Sequence, residues 1–157
     1  YIRLTLGASD LNNFVYSYND LPEGKKDIEL KNFSLSHDLE DIIPIMREIL
    51  KIVPDIKIMS SPWSAPVWMK TSGNVRGGAL KKEYYSVYAQ YFVKYVQEMA
   101  KVGIHIDAVT IQNEPLNSRN TPSMPWYWQE HNEFVRDHLG PAFSIITVIV
   151  LIILWQF

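Results

Sequence analysis

The sequence predicts an α/β fold of tandem βα units, with parallel strands joined by right-handed crossovers. Short β-branched runs alternate with longer segments whose apolar residues recur at three and four, in the order strand, helix, strand, helix, strand, helix. Each candidate strand runs into a loop rich in Gly, Ser, Pro, Asn or Asp. With 157 residues, 47% hydrophobic and 20% charged, the chain has an ordinary globular composition, which excludes fibrous, collagenous and wholly disordered classes.

The first strand is Ile2 to Leu6, alternating and partly β-branched, and it gives way to Gly7, Ala8, Ser9 and Asp10. A long loop follows, with turn signals at Asn19-Asp20, Pro22 and Gly24 and a charged KKDIELK run that reads as a solvated face. From Ser36, a cap candidate, apolar residues at Leu39, Ile42, Ile43, Ile45, Met46, Ile49 and Leu50 fit one helical face, which Pro44 is expected to break or restart. Ile56 to Ser60 is the second strand. It stops near Ser61 because Pro62 and Pro66 cannot donate to a ladder.

Between Glu83 and Lys101, Tyr84, Tyr88, Tyr91, Phe92, Tyr95, Val96 and Met99 mark a helix that packs on the sheet, with Gly103 at its end. Asp107 to Ile111 is the third strand, passing into Gln112-Asn113-Glu114-Pro115. Gln129 to Leu139 then reads as a helix closed by Gly140-Pro141.

Fifteen Lys and Arg against seventeen Asp and Glu leave a formal charge of −2, so there is no basic footprint for a nucleic acid. Zero cysteines exclude disulfides, thiolate zinc sites and a cysteine nucleophile. The four histidines lack metal-ligand spacing, and the glycine-rich Gly73 to Gly78 stretch lacks the Lys-Ser/Thr ending of a phosphate loop; no metal or cofactor is expected. Tyr1 opens the chain with neither an initiator Met nor a secretory signal pattern, so sequence upstream is expected to be missing. Composition shifts at Pro141. The apolar tail, 142–157, spans roughly 24 Å as a helix against the ~30 Å of a bilayer core. It reads as the product of a truncated gene model or of translated non-coding sequence sooner than as a membrane anchor.

In βα architectures working residues gather where strands end, because those loops open onto a common face. Here the three ends carry Asp10, Trp63 and the Asn113-Glu114 pair. Taken singly, these are a cap, a core-covering aromatic and a turn. Together they suit a sugar: carboxylate and amide groups for hydroxyls, and a flat ring for an axial C–H face. Glycosidic cleavage needs a carboxyl group to protonate the departing oxygen, and Glu114 is the candidate, with Asn113 beside it for a substrate hydroxyl.

The stretches IRLTLGASD, KNFSL, SSPWSAPVWMKTSGNVRGG, YAQYFVKYVQEMA, AVTIQNEP and FVRDHLGP, in this order, resemble the glucosylceramidases and their relatives among the family 30 glycoside hydrolases. The resemblance covers residues 1 to about 141 and implies a fragment of a (β/α)8 TIM barrel, about three βα units, followed by the tail. It implies a retaining β-glycosidase that hydrolyses the β-glucosyl bond of glucosylceramide, with β-xylosides or β-1,6-glucans as alternatives and an inactive membrane-associated remnant as a further one. By the same resemblance Glu114 is the acid/base, and Arg3, Asp10, Trp63 and Asn113 bind the glucosyl ring. Without the resemblance, Arg3 reads as a strand-end salt-bridge partner. The nucleophile would stand on a later strand, so no residue here takes that role. The chain alone is expected to be inactive, with open sheet edges. The implied setting is lysosomal or secreted, with a saposin-type activator and a membrane surface reached through the lipid substrate or the tail.

Overall fold

The computed structural model describes residues 1–144. Strands β1 (Ile2–Thr5), β2 (Ile58–Ser61) and β3 (Ala108–Val109) form one parallel sheet in the order β1-β2-β3. Helix α1 (Ile42–Ile52) connects β1 to β2, and α2 (Tyr85–Lys101) connects β2 to β3. After β3 come α3 (Trp128–Phe134), a π-helical turn (Val135–Leu139) and α4 (Gly140–Ser144). Adjacent strands in chain order, each reached through a helix, are the arrangement of a partial TIM barrel.

Register sorts the strand residues onto two faces. Arg3 lies opposite Met59 and Thr5 opposite Ser61, while Met59 in turn faces Ala108. These side chains project to one side, where all but Ser61 are exposed or half-buried. On the other side Leu4, Leu6, Ile58, Val109 and Ile111 are buried and belong to one hydrophobic core with the inner face of α2. Ser60 shares that covered side, and its hydroxyl bonds the Tyr95 hydroxyl at 2.8 Å, so the polar group under the sheet is satisfied.

The aromatic stripe of α2 is packing, as its spacing predicts: Tyr85, Tyr88, Tyr91 and Tyr95 are all buried. The Tyr91 hydroxyl accepts from the Tyr18 N–H at 3.0 Å, which pins the long first loop to the helix. Gly103 ends the element at φ +87°, with Ile104 N–H returning to the Met99 carbonyl and Gly103 N–H to Ala100. That double return is the Schellman arrangement, and its left-handed position favours glycine. In the first loop, Tyr16 and Tyr18 hydroxyls donate to the buried Asp38 carboxylate at 2.8 and 2.6 Å. Burial pushes the Asp38 carboxyl above the usual carboxylate range against the pull of those donors.

Several expectations are corrected. Pro44 does not break α1, because it falls in the first turn, where the amide it lacks would have no helical partner. The helix is capped by Asp41 rather than begun at Ser36. Within the charged KKDIELK run Asp27 is buried and accepts from Asn19 and Asn32, so that stretch is not wholly a solvated face. The third strand is shorter than Asp107 to Ile111; at its start the Asp107 carboxylate takes the Ile58 N–H at 2.9 Å, while the Asp107 and Thr110 N–H groups reach the Ile58 and Ser60 carbonyls at 2.8 and 2.9 Å. Gly140-Pro141 does not close the last helix. Gly140 N–H bonds the Val135 carbonyl, five residues back, and the widened turn lets the helix run on through Pro141. Ala142 and Phe143 are buried in the common core, so the composition shift at Pro141 is not a structural break. The rest of the apolar tail, and with it the question of an anchor, lies outside the described residues, among which no helix is long and apolar enough to cross a membrane.

Candidate active site at the strand ends

The open face of the sheet carries a continuous row of polar and aromatic contacts. Arg3, on β1, donates through Nε to Ser61 Oγ at 3.0 Å and through Nη2 to Asn113 Oδ1 at 2.7 Å. Its guanidinium lies over the Trp63 ring, 5.0 Å from the centroid. Trp63 in turn donates its indole N–H to Asp10 Oδ1 at 3.1 Å. Asn113, Arg3, Trp63 and Asp10 are thereby brought together from all three strand ends.

Bonds between the two loops fix the row. Asn113 N–H reaches the Pro62 carbonyl at 2.8 Å, and Gln112 Nε2 reaches the Trp63 carbonyl at 2.7 Å, so the loop after β3 is bonded to the loop after β2. Under it, the Ser61 and Thr110 hydroxyls bond at 2.6 Å. Arg3 pairs with no carboxylate among the described residues; its partners are a hydroxyl, an amide oxygen and an indole face. The salt-bridge reading of Arg3 is thus replaced by a stacked guanidinium that donates through two separate nitrogens, a geometry suited to its planar fork.

Glu114 is placed differently from the other four. Its backbone is left-handed, at φ +43°, directly before Pro115, although a residue before proline favours extended backbone. Such positions cost of order 1–3 kcal/mol and persist where the surroundings over-determine them. Asn117 N–H closes the turn on the Glu114 carbonyl at 2.9 Å. The exposed carboxylate accepts, both times at Oε2, from Asn117 Nδ2 at 3.0 Å and Asn120 Nδ2 at 2.5 Å. Glu114 therefore stands next to the row through Asn113 while its carboxylate is held by its own loop, not by Arg3, Trp63 or Asp10.

Chemically, this set can grip a polyhydroxylated ring. Trp63 is buried, with the Arg3 guanidinium over its ring, and walls the row with an apolar side chain, while Asp10 is exposed and keeps its second oxygen for a hydroxyl. Asn113, having spent its oxygen on Arg3, has its amide N–H groups to offer. A cleft of about 770 Å³ opens alongside, between the loops after β1 and β2, and is lined by Ala8, Tyr16, Ser64 and Trp68 but by none of the five site residues. Among the described residues no group of three or more His, Cys, Asp or Glu could hold a metal ion.

Sequence reasoning missed Ser61, Thr110, Gln112, Asn117 and Asn120. Ser61 and Thr110 were recoverable from strand register alone, since both share a face with Arg3. The polar run after Pro115 signalled a loop, without indicating which of its amides turn back to Glu114.

The family model described as the glycosyl hydrolase family 30 TIM-barrel domain matches residues 1–154, running past Pro141. The chain is 40% identical over 147 residues to an endo-1,6-beta-D-glucanase of Neurospora crassa, covering 90% of this chain and 30% of that protein. It is 36% identical over 155 residues to the lysosomal acid glucosylceramidase of Mus musculus, covering 91% of this chain and 29% of that protein. Among solved structures, the endo-beta1,6-glucanase BT3312 superposes with a TM-score of 0.88 at 39% identity, over 97% of this chain and 34% of its own. The chain thus spans about a third of the length of these relatives. With the parallel βα order, the strand-end row and these matches together, the chain belongs to glycosyl hydrolase family 30 as part of its TIM-barrel domain.

Proposed function

We propose that this region supplies the acid/base half of a retaining β-glycosidase site, and that its substrate is a β-1,6-linked glucan. The observation that carries the reading is the unbroken row Asn113, Arg3, Trp63, Asp10 with the strained, exposed Glu114 beside it. Glu114 as a carboxylic acid gives its proton to the glycosidic oxygen as the bond from the anomeric carbon to that oxygen breaks. As a carboxylate it then takes a proton from the water that releases the sugar. The covalent partner in the first step is a second carboxylate on a later strand than the three described. Trp63 and Asp10 hold the ring, and Asn113 addresses the hydroxyl next to the reacting carbon.

Glucosylceramide, the substrate implied by the first resemblance, is the second reading. Similarity to β-1,6-glucanases at the higher identity supports the glucan. One feature of the site supports the lipid: Leu11 and Leu116, 91% and 69% exposed, adjoin Asp10 and Glu114 in sequence and offer an apolar rim. The lysosomal relative and a lysosomal or secreted setting go with that reading.

The test completes the barrel by joining residues 1–144 to the remaining strands of the Neurospora crassa enzyme or of the mouse enzyme. Turnover retained on β-1,6-glucan in the fungal barrel and lost on glucosylceramide in the mouse barrel supports the glucan. The reverse assigns the region to the lipid. In whichever barrel is active, Glu114→Gln is expected to cut kcat by about 10²- to 10⁴-fold with the fold intact; unchanged kcat rejects the acid/base role.

A further inference from the structure

Lys70 is 0% exposed, yet it is one of the most strongly polar side chains in the sequence. Its Nζ donates to the Val75 carbonyl at 3.0 Å and to the Ser123 carbonyl at 2.8 Å, and it faces no carboxylate among the described residues. Burial pushes its ammonium down to about 7. A buried cation without a counter-charge costs stability, and an apolar side chain of similar length would fill the same space without that cost. Stability of the core therefore does not account for a lysine here; what it bonds does.

The two carbonyls belong to different loops. Val75 lies in the glycine-rich loop after β2, which is closed at its base by Thr71 N–H to the Ala79 carbonyl and Lys81 N–H to the Met69 carbonyl. That loop is compact because Gly78 sits at φ +72° with Ser72 packed where a side chain would be. Ser123 lies in the loop after β3, and every polar group of the residue is engaged. Its N–H reaches Val75 O at 3.1 Å, its hydroxyl accepts from Gly77 N–H at 3.0 Å and donates to Ser118 O at 3.2 Å, and its carbonyl receives Lys70. Asn120 lies inside the Ser118 to Ser123 closure and Asn117 lies just before it; these are the two amides on the Glu114 carboxylate.

We propose that Lys70 is a positioning residue for the acid/base: its buried ammonium clamps the loop after β2 to the loop after β3 and thereby fixes the asparagines that hold the Glu114 carboxylate. The inference rests on the reading of Glu114 given above. Lys70 is itself fully buried and acts through the Ser123 carbonyl and the loop behind it.

A displaced proton donor harms substrates in proportion to how much their leaving group needs the proton. In the active completed barrel, Lys70→Met is expected to lower kcat/KM on the unactivated glycoside about tenfold or more. On a 2,4-dinitrophenyl β-glucoside, whose leaving group departs unaided, kcat/KM, which reports the glycosylation step alone, stays within about threefold. Lys70→Gln, whose shorter neutral amide can donate to only part of the pair, gives the same pattern at smaller amplitude and decides the matter if Lys70→Met does not fold. Equal losses on both substrates, or no loss, overturn the inference. Glu114→Gln in the same barrel separates the two ideas. If it shows the leaving-group dependence and the clamp variants do not, only the clamp fails; if it shows none, the acid/base reading falls first.

Discussion

At the scale of single residues, the site trades backbone comfort for placement. Glu114 occupies φ +43° before Pro115, a conformation that glycine adopts without a Cβ penalty. Its carboxylate bonds are exposed and contribute little to folding. Glu114→Gly is therefore expected to be more stable than Glu114→Ala by roughly 1 kcal/mol in denaturant unfolding and to melt no lower than the unmodified chain. A glycine variant less stable than the alanine variant would mean that the left-handed backbone is not strained. Sequence reasoning found the identity of the strand-end residues because each stands at a composition break: Asp10 after Gly7, Trp63 between prolines and Glu114 before Pro115. It could not assign partners, since the bonds Arg3 to Asn113 and Trp63 to Asp10 join positions 110 and 53 residues apart.

Among the elements, local pattern and tertiary packing agree for α2 and diverge for the last helix. The α2 stripe and the Gly103 stop are both short-range signals, and both appear as the spacing predicts. Gly140-Pro141 is an equally clear stop signal, overridden because Phe134, Leu139, Ala142 and Phe143 all find places in the core, which outweighs the irregular turn between them. The same region carries a pH response. His131 packs its ring edge-on against Trp126 at 4.9 Å, its Nε2 has no partner, and burial pushes it down to about 4. The unfolded chain then binds a proton that the folded one refuses between about pH 6.5 and 4, so the contribution is whole above pH 6.5 and is lost as pH falls towards 4. His131→Phe is expected to flatten the fall of the melting temperature across that window relative to the unmodified chain. Parallel curves for the two proteins would reject the assignment.

For the whole molecule, three parallel strands leave β1 and β3 as edges among the described residues, and the face bearing Arg3 and Met59 is uncovered. Retention needs two carboxyl groups about 5 Å apart across the scissile bond. In the strand-end row the other carboxylate is Asp10, engaged by the Trp63 indole. We therefore expect the purified 157-residue chain to show no hydrolysis of a fluorogenic β-glucoside above buffer, and measurable turnover would overturn the assignment of the nucleophile to a later strand. What the sequence determined by itself was periodic and local: the βα order, the aromatic helix, which residues stand at the strand ends and, through motifs in fixed order, the family. Tertiary structure decided what depends on distance through space, because hydrogen bonds form between neighbours in space whatever their separation along the chain. Only folding could seat Arg3 on an indole rather than a carboxylate, carry a helix through Gly140-Pro141, and bury Lys70 where two loops meet.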